Sequence, residues 1–111
     1  MKLQSIKPST SKGKKYTATF ITNDSSGKKT KSISFGASGY RDFTLLNKKG
    51  GQFYKSEKSE REKVKDAYLT RHRKAENWNN PMSAGSLSRW ILWNKPTLKG
   101  SITDFKRRFN L

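Results

Sequence analysis

Apolar and polar positions alternate most cleanly between residues 16 and 35. Tyr16, Ala18 and Phe20 interleave with Thr17, Thr19 and Ile21, and Ile33 and Phe35 interleave with Ser32 and Ser34. A period of two marks strands with one buried face. Between the two runs, Asn23-Asp24-Ser25-Ser26-Gly27 has the composition of a turn. The pattern predicts a β-hairpin with Lys28, Lys29 and Lys31 on or just past its tip. Gly36-Ala37-Ser38-Gly39 reads as a loop, and Tyr40-Arg41-Asp42-Phe43-Thr44 fits either a third short strand or a turn of helix. Asn47-Lys48-Lys49-Gly50-Gly51 is a second, basic loop.

The spacing then changes to that of helices. Ser59-Glu60-Arg61-Glu62 has capping-box spacing, and Val64, Ala67, Tyr68, Arg71 and Ala75 follow on one helical face. A first helix is therefore expected from Ser59, ended by the segment Asn77 to Pro81. A second is expected over roughly 83–94, with a Leu87, Trp90, Ile91 stripe and Pro96 as its stop. A third follows, with Thr97 as N-cap and Leu98, Ile102, Phe105 and Phe109 on one face. Gly100 is expected to weaken it by about 1 kcal/mol. Residues 1–15 show neither period and carry five lysines, no acid, Pro8 and Gly13. They read as a flexible basic arm, with 16–111 as a single small domain. The expected fold is α+β: an N-terminal hairpin packed on two or three helices.

Composition adds a constraint. Only 20 of the 111 residues are Leu, Ile, Val or Phe, so the three Trp and four Tyr must supply much of the buried area. Charge adds a direction. Lys and Arg number 25 against 8 Asp and Glu, a formal net charge of +17, where a magnitude of about 2–8 is usual for a small domain. The surplus is spread over both halves, with 11 basic and 2 acidic residues in 1–53 and 14 and 6 in 54–111. Such an excess suits a polyanion, whose condensed counterions gain entropy when Lys and Arg displace them. Sequence-nonspecific binding of double-stranded DNA is the favoured function. The candidate phosphate contacts are Lys12, Lys14 and Lys15 on the arm, Lys28, Lys29 and Lys31 at the hairpin tip, and Arg71, Arg73, Arg89, Lys106, Arg107 and Arg108 on helices. Two other readings stay open. One is a virion structural protein whose positive surface meets acidic protein; the other is an RNA-binding or host-directed regulator. A membrane partner is not expected, since no helix pairs a wide bulky apolar face with a basic one.

Enzyme chemistry finds few groups to use. There is no cysteine, hence no disulfide or thiolate zinc site, and no apolar run near the ~18 residues of a membrane span. His72 is the single imidazole, set between Arg71 and Arg73 without a nucleophile motif nearby. No Walker loop, H-E-x-x-H or EF-hand pattern occurs. No catalytic residue, metal or cofactor is expected. The opening residues lack the apolar core of a secretory signal, and the absence of cysteine suits a reducing compartment. Trp78, Trp90 and Trp93 could stack on unpaired bases. Trp90, however, lies within the Leu87/Ile91 stripe and is most simply core, and Trp78 reads as a packing plug.

One further signal is a resemblance. The segment Tyr68 to Pro81, the segment Ala84 to Leu98 and the upstream Phe35 to Phe43 together resemble a family of small basic proteins of giant nucleocytoplasmic DNA viruses, of the chlorella-virus, mimivirus and marseillevirus-like kind. The resemblance covers roughly residues 14–111, and Trp90-x-x-Trp93-Asn94-Lys95-Pro96-Thr97-Leu98 is its most specific part. It implies a viral setting, a protein of the virion and of the host cytoplasm or nucleus during infection; the charge, and not the resemblance, points to DNA, and the two together to genome condensation or packaging. That family carries no assigned activity, so the resemblance assigns no catalytic residue.

Overall fold

The structure, a computed structural model, describes residues 1–111. Strands β1 (Lys2–Pro8), β2 (Lys14–Asp24) and β3 (Gly27–Ala37) form one antiparallel sheet in the order β1-β2-β3. Helix α1 (Phe43–Leu46), α2 (Lys58–His72), α3 (Ala84–Leu87) and α4 (Leu98–Arg108) follow. Helix α3 runs directly into a π-helical turn over Ser88–Leu92. The chain is thus α+β, an N-terminal sheet followed by helices, as its patterning predicts.

The sheet is amphipathic, and this decides the packing. Tyr16 lies opposite Phe35, Ala18 opposite Ile33, and Leu3 and Ile6 opposite Phe20 and Ala18. These side chains share the inner face. Leu3, Ala18, Phe20 and Phe35 are buried there against Phe43, Leu46, Leu87, Ile91, Leu92, Trp93, Phe105 and Leu111 of the helical layer. Most apolar side chains of the sheet thus serve one core, as a chain this poor in them requires.

Residues 1–15 are not a flexible arm throughout. Lys2–Pro8 is the edge strand β1, joined to β2 by a tight turn in which the Ser9 N–H donates to Lys15 O and the Lys14 N–H to Ser11 O. The period of two fails here for a physical reason. Leu3 and Ile6 are three residues apart, yet both face inward, because a register shift between Leu3 and Ser5 inserts one extra residue. The bulge hides the strand from the alternation test. Proline is tolerated at position 8 because β1 is an edge.

The helices also depart from expectation. Helix α2 starts at Lys58 rather than Ser59, its N-cap Glu57 makes no side-chain capping bond, and it ends at His72. Ser59 to Glu62 therefore lies inside the first turn and forms no capping box. The second helix is short, because Leu87, Ile91, Leu92 and Trp93 are all buried. At roughly 100° per residue an α-helix cannot point 91, 92 and 93 at one core. The wider π turn, closed by Trp93 N–H donating to Ser88 O, brings them round. Residues 40–44 resolve as a helical turn: Asp42 caps α1 by accepting from the Leu45 N–H. Helix α4 matches its spacing, with Thr97 Oγ1 accepting from the Gly100 N–H. Its end is a Schellman motif, with Leu111 N–H donating to Lys106 O, Asn110 N–H to Arg107 O, and Asn110 at φ 55°.

Gly36 marks the closest approach of the two layers. It has φ +80°, and a Cβ there would stand 2.8 Å from Leu92 Cδ1. Gly36→Ala is expected to lower unfolding free energy by more than about 1 kcal/mol through both strain and clash. Phe105→Ala, at a fully buried site, is expected to cost about 3–5 kcal/mol. Denaturant titration checks both; a wild-type midpoint for either variant contradicts the packing described.

Candidate nucleic-acid interface

The outer face of the sheet carries a cluster of hydroxyls. Thr17 and Ser34 form a cross-strand pair on it, as do Thr19 and Ser32. Thr17 Oγ1 donates to Ser9 Oγ at 2.9 Å, and hydroxyl contacts of 2.9 and 3.1 Å join Thr17 to Ser34 and Thr19 to Ser32. Ser34 also donates to Ser11. By register, Lys2, Lys7 and Lys28 share this face. Hydroxyls and ammonium groups are the donors that hold phosphate oxygens. The alternating Thr and Ser residues were a sequence signal for this surface, although they served there only to phase the strands.

Beyond Ile21, where β1 ends its pairing, β2 and β3 continue as a two-stranded ribbon. Every residue from Asn23 to Ser32 is exposed. Asp24 shapes the tip by accepting from the Ser26 N–H and hydroxyl, and these bonds hold its carboxyl below the usual range. Gly27, at φ +112°, takes the left-handed position beside it. Lys28 faces one side of the ribbon and Lys29 and Lys31 the other. The molecule measures 51 × 28 × 23 Å.

The twelve cations singled out in the sequence divide into three groups. Lys12, Lys14, Lys28, Lys31, Arg71, Arg73 and Lys106 are exposed and lie outside every ion pair. Lys29, Arg107 and Arg108 are exposed but each meets a carboxylate: Lys29 meets Asp24 at 3.3 Å, and the two arginines meet Asp104 at 3.1 and 3.4 Å. Lys15 and Arg89 are internal, which corrects the expectation for both. Lys15 Nζ donates to Asp42 Oδ2 at 2.6 Å and to Tyr40 O, tying β2 to the capping residue of α1. Arg89 Nη1 donates to Trp93 O at 2.8 Å, and its guanidinium lies over the Trp90 and Trp78 rings at 4.1 and 5.3 Å. Burial, with the nearby Arg108 charge, lowers its pKa. Arg89 is a packing residue. The sequence places the cations on elements, but it does not show which of them fold inward.

The tryptophans are likewise occupied. Trp93 is buried and stacked on Tyr68 at 4.2 Å. Trp90 donates its Nε1–H to Trp78 O, carries the Arg108 guanidinium 3.9 Å from its ring, and meets Phe109 edge-on. Helix α2, none of whose residues is fully buried, is fastened by this cluster. Tyr68 is sandwiched between Trp93 and His72, and its burial pushes the phenol up to about 12. Lys65 Nζ donates to Asn94 O at 2.8 Å, and burial lowers its pKa. A carboxylate does reach His72: Glu76 Oε1 lies 2.5 Å from Nδ1. With the carboxylate accepting from Nδ1–H, Nε2 is left as the second ring nitrogen. No group of three or more His, Cys, Asp or Glu is placed to hold a metal, and no helix is long and apolar enough to cross a membrane.

A family model described as a family of unknown function (DUF5754) matches residues 4–45. That span holds all of the sheet but Lys2 and Leu3 and most of α1; of the segments that carried the resemblance noted above it includes Phe35–Phe43 and leaves out the more specific Trp90–Leu98. Comparison with curated proteins and with solved structures finds no match.

Asp104 organises the cations at the end of α4. It is buried, accepts from Asn94 Nδ2 at 2.7 Å, and receives Arg107 and Arg108. The Asn94 bond, aided by Arg107 and the Arg108 charge and opposed by burial, holds its carboxyl below the usual range. A depressed folded pKa stabilises above the unfolded value of about 3.9, and that stabilisation is lost as pH falls through the folded one. Asp104→Ala is therefore expected to cost about 1–3 kcal/mol at neutral pH, a gap that narrows steadily below about pH 4. Unfolding titrations of both proteins between pH 7 and 2 check this; a constant gap contradicts it.

Proposed function

We propose that the protein binds double-stranded DNA without sequence selectivity, neutralising phosphates to condense or package a genome. The observation that carries this reading is the state of its charge. Only four of the twenty-five Lys and Arg side chains meet a carboxylate, and two of those share Asp104. Cations left without carboxylate partners on a folded surface create a positive field that attracts a polyanion. The shape supports the same partner. A two-stranded β-ribbon fits the major groove of B-DNA, about 12 Å wide. The exposed ribbon with Lys28, Lys29 and Lys31 is the element built to enter it. The hydroxyl face, with Lys2 and Lys7, continues the contact along the backbone. All of these groups favour phosphate over base edges, which is why no sequence preference is assigned. The resemblance to giant-virus proteins supports a virion as the setting for this role.

The expected result is duplex binding whose logarithmic affinity falls linearly with the logarithm of salt concentration. The double variant Lys28→Glu, Lys31→Glu is expected to weaken binding about equally on unrelated sequences and to flatten the salt slope by roughly 2. Fluorescence anisotropy at several salt concentrations measures both. Affinity unchanged in the variant removes the ribbon from the interface. Failure of the wild type to bind duplex even in dilute buffer overturns the reading in favour of an acidic protein partner.

A further inference from the structure

A concavity of the molecule lies away from the ribbon, where the end of the sheet, the loop before α1, the last turn of α2 and the start of α3 converge. It holds about 480 Å³. A groove-wide duplex does not enter a cleft of this size, whereas a single small ligand does. Its charge is uneven. Lys14, Lys15, Arg41 and Arg71 line it, against the two carboxylates Asp42 and Glu76. Both carboxylates are already engaged. Asp42 receives Lys15, the Thr44 hydroxyl and the Leu45 N–H, and Glu76 receives His72. Lys14, Arg41 and Arg71 are therefore left as cations with no ion-pair partner around one cavity.

Part of the same lining is aromatic. His72, Tyr68 and Trp93 all line the cleft and form one stacked column, with centroid separations of 4.1 and 4.2 Å. Trp93 is buried at one end of the column, and the His72 side chain is 40% exposed at the other. Glu76 and Gly85, both in the lining, fit closely together. A Cβ on Gly85 would stand 2.1 Å from Glu76 Oε2, so only glycine lets the Glu76 carboxylate lie across the start of α3 while holding the His72 ring.

We infer that this cleft is a binding site for a nucleotide, its phosphate held by Lys14, Arg41 and Arg71 and its base against the His72–Tyr68 column. Guanidinium groups hold phosphate oxygens in a two-pronged fashion, and a flat ring is the surface on which a base packs. The nucleotide reaches the site either free or as the phosphorylated end of a strand. The site stands apart from the ribbon, because neither Lys28 nor Lys31 lines it, although Lys14 and Arg71 are also among the phosphate contacts expected from sequence.

The test is an NMR titration of the full chain, following backbone amides, with 5′-AMP, adenosine, inorganic phosphate, and a short single-stranded oligonucleotide with or without a 5′-phosphate. 5′-AMP is expected to give saturable shifts centred on residues 40–42 and 71–76. Adenosine and inorganic phosphate are expected to bind at least fivefold more weakly. Arg41→Ala and Arg71→Ala should each lower 5′-AMP affinity about tenfold while leaving the melting temperature near that of the wild type. A preference for the 5′-phosphorylated oligonucleotide over 5′-AMP assigns the site to strand ends, and equal affinity assigns it to free nucleotide. Inorganic phosphate binding as well as 5′-AMP, or shifts scattered over all exposed lysines without saturation, overturns the proposal. The double variant Lys28→Glu, Lys31→Glu should titrate with 5′-AMP like the wild type, so a failure of the ribbon and a failure of the cleft are told apart.

Discussion

Everything in this molecule depends on Phe20 and Phe35 of the sheet meeting Leu87, Ile91 and Leu92 of the helical layer. The chain has few large apolar side chains, and eleven buried ones, with Ala18, form its core cluster. It cannot cover both faces of a sheet with them. One face is therefore given to the core and the other to Ser, Thr and Lys. The amphipathic sheet is at once the solution to a shortage of apolar residues and the source of a broad hydrated surface.

The same economy explains how charge is handled. A buried cation needs a partner that offsets its lost hydration. Lys15 has Asp42, Lys65 has a backbone carbonyl and the Phe43 ring, and Arg89 has a carbonyl and two indoles. With eight acids in the chain, few can be spared, and most cations stay in water. The acids that go inside, Asp42 and Asp104, each order several neighbours: Asp42 caps a helix and anchors a strand, and Asp104 gathers Asn94, Arg107 and Arg108.

Much of this architecture was legible in the residues. Alternation located β2 and β3, and the spacing of Leu98, Ile102, Phe105 and Phe109 with Thr97 before it located α4 and its cap. Strand β1 was not legible, because its bulge breaks the period that betrays a strand. The π turn was not legible either, since the widening that buries Ile91, Leu92 and Trp93 together answers to tertiary packing and not to local propensity. At the candidate interface, the ribbon lysines stand where the turn composition put them. Lys15 and Arg89 could not be separated from the exposed cations, because a single chain does not show which carboxylate or carbonyl will meet them. His72 and Glu76 are four residues apart, but α2 ends at His72, so their contact is set by the turn that follows and not by helical spacing.

The sheet has two open margins, and they are not alike. Strand β1 presents a bulge and Pro8, both of which spoil it as a template for a further strand. Strand β3 has only its lysines to discourage an incoming backbone. Neutralising Lys28, Lys29 and Lys31 removes that deterrent. Two copies brought together with that charge masked would face one another with bare β3 margins, so the same lysines govern whether neighbouring copies remain separate molecules or zip into a continuous strand-paired coat.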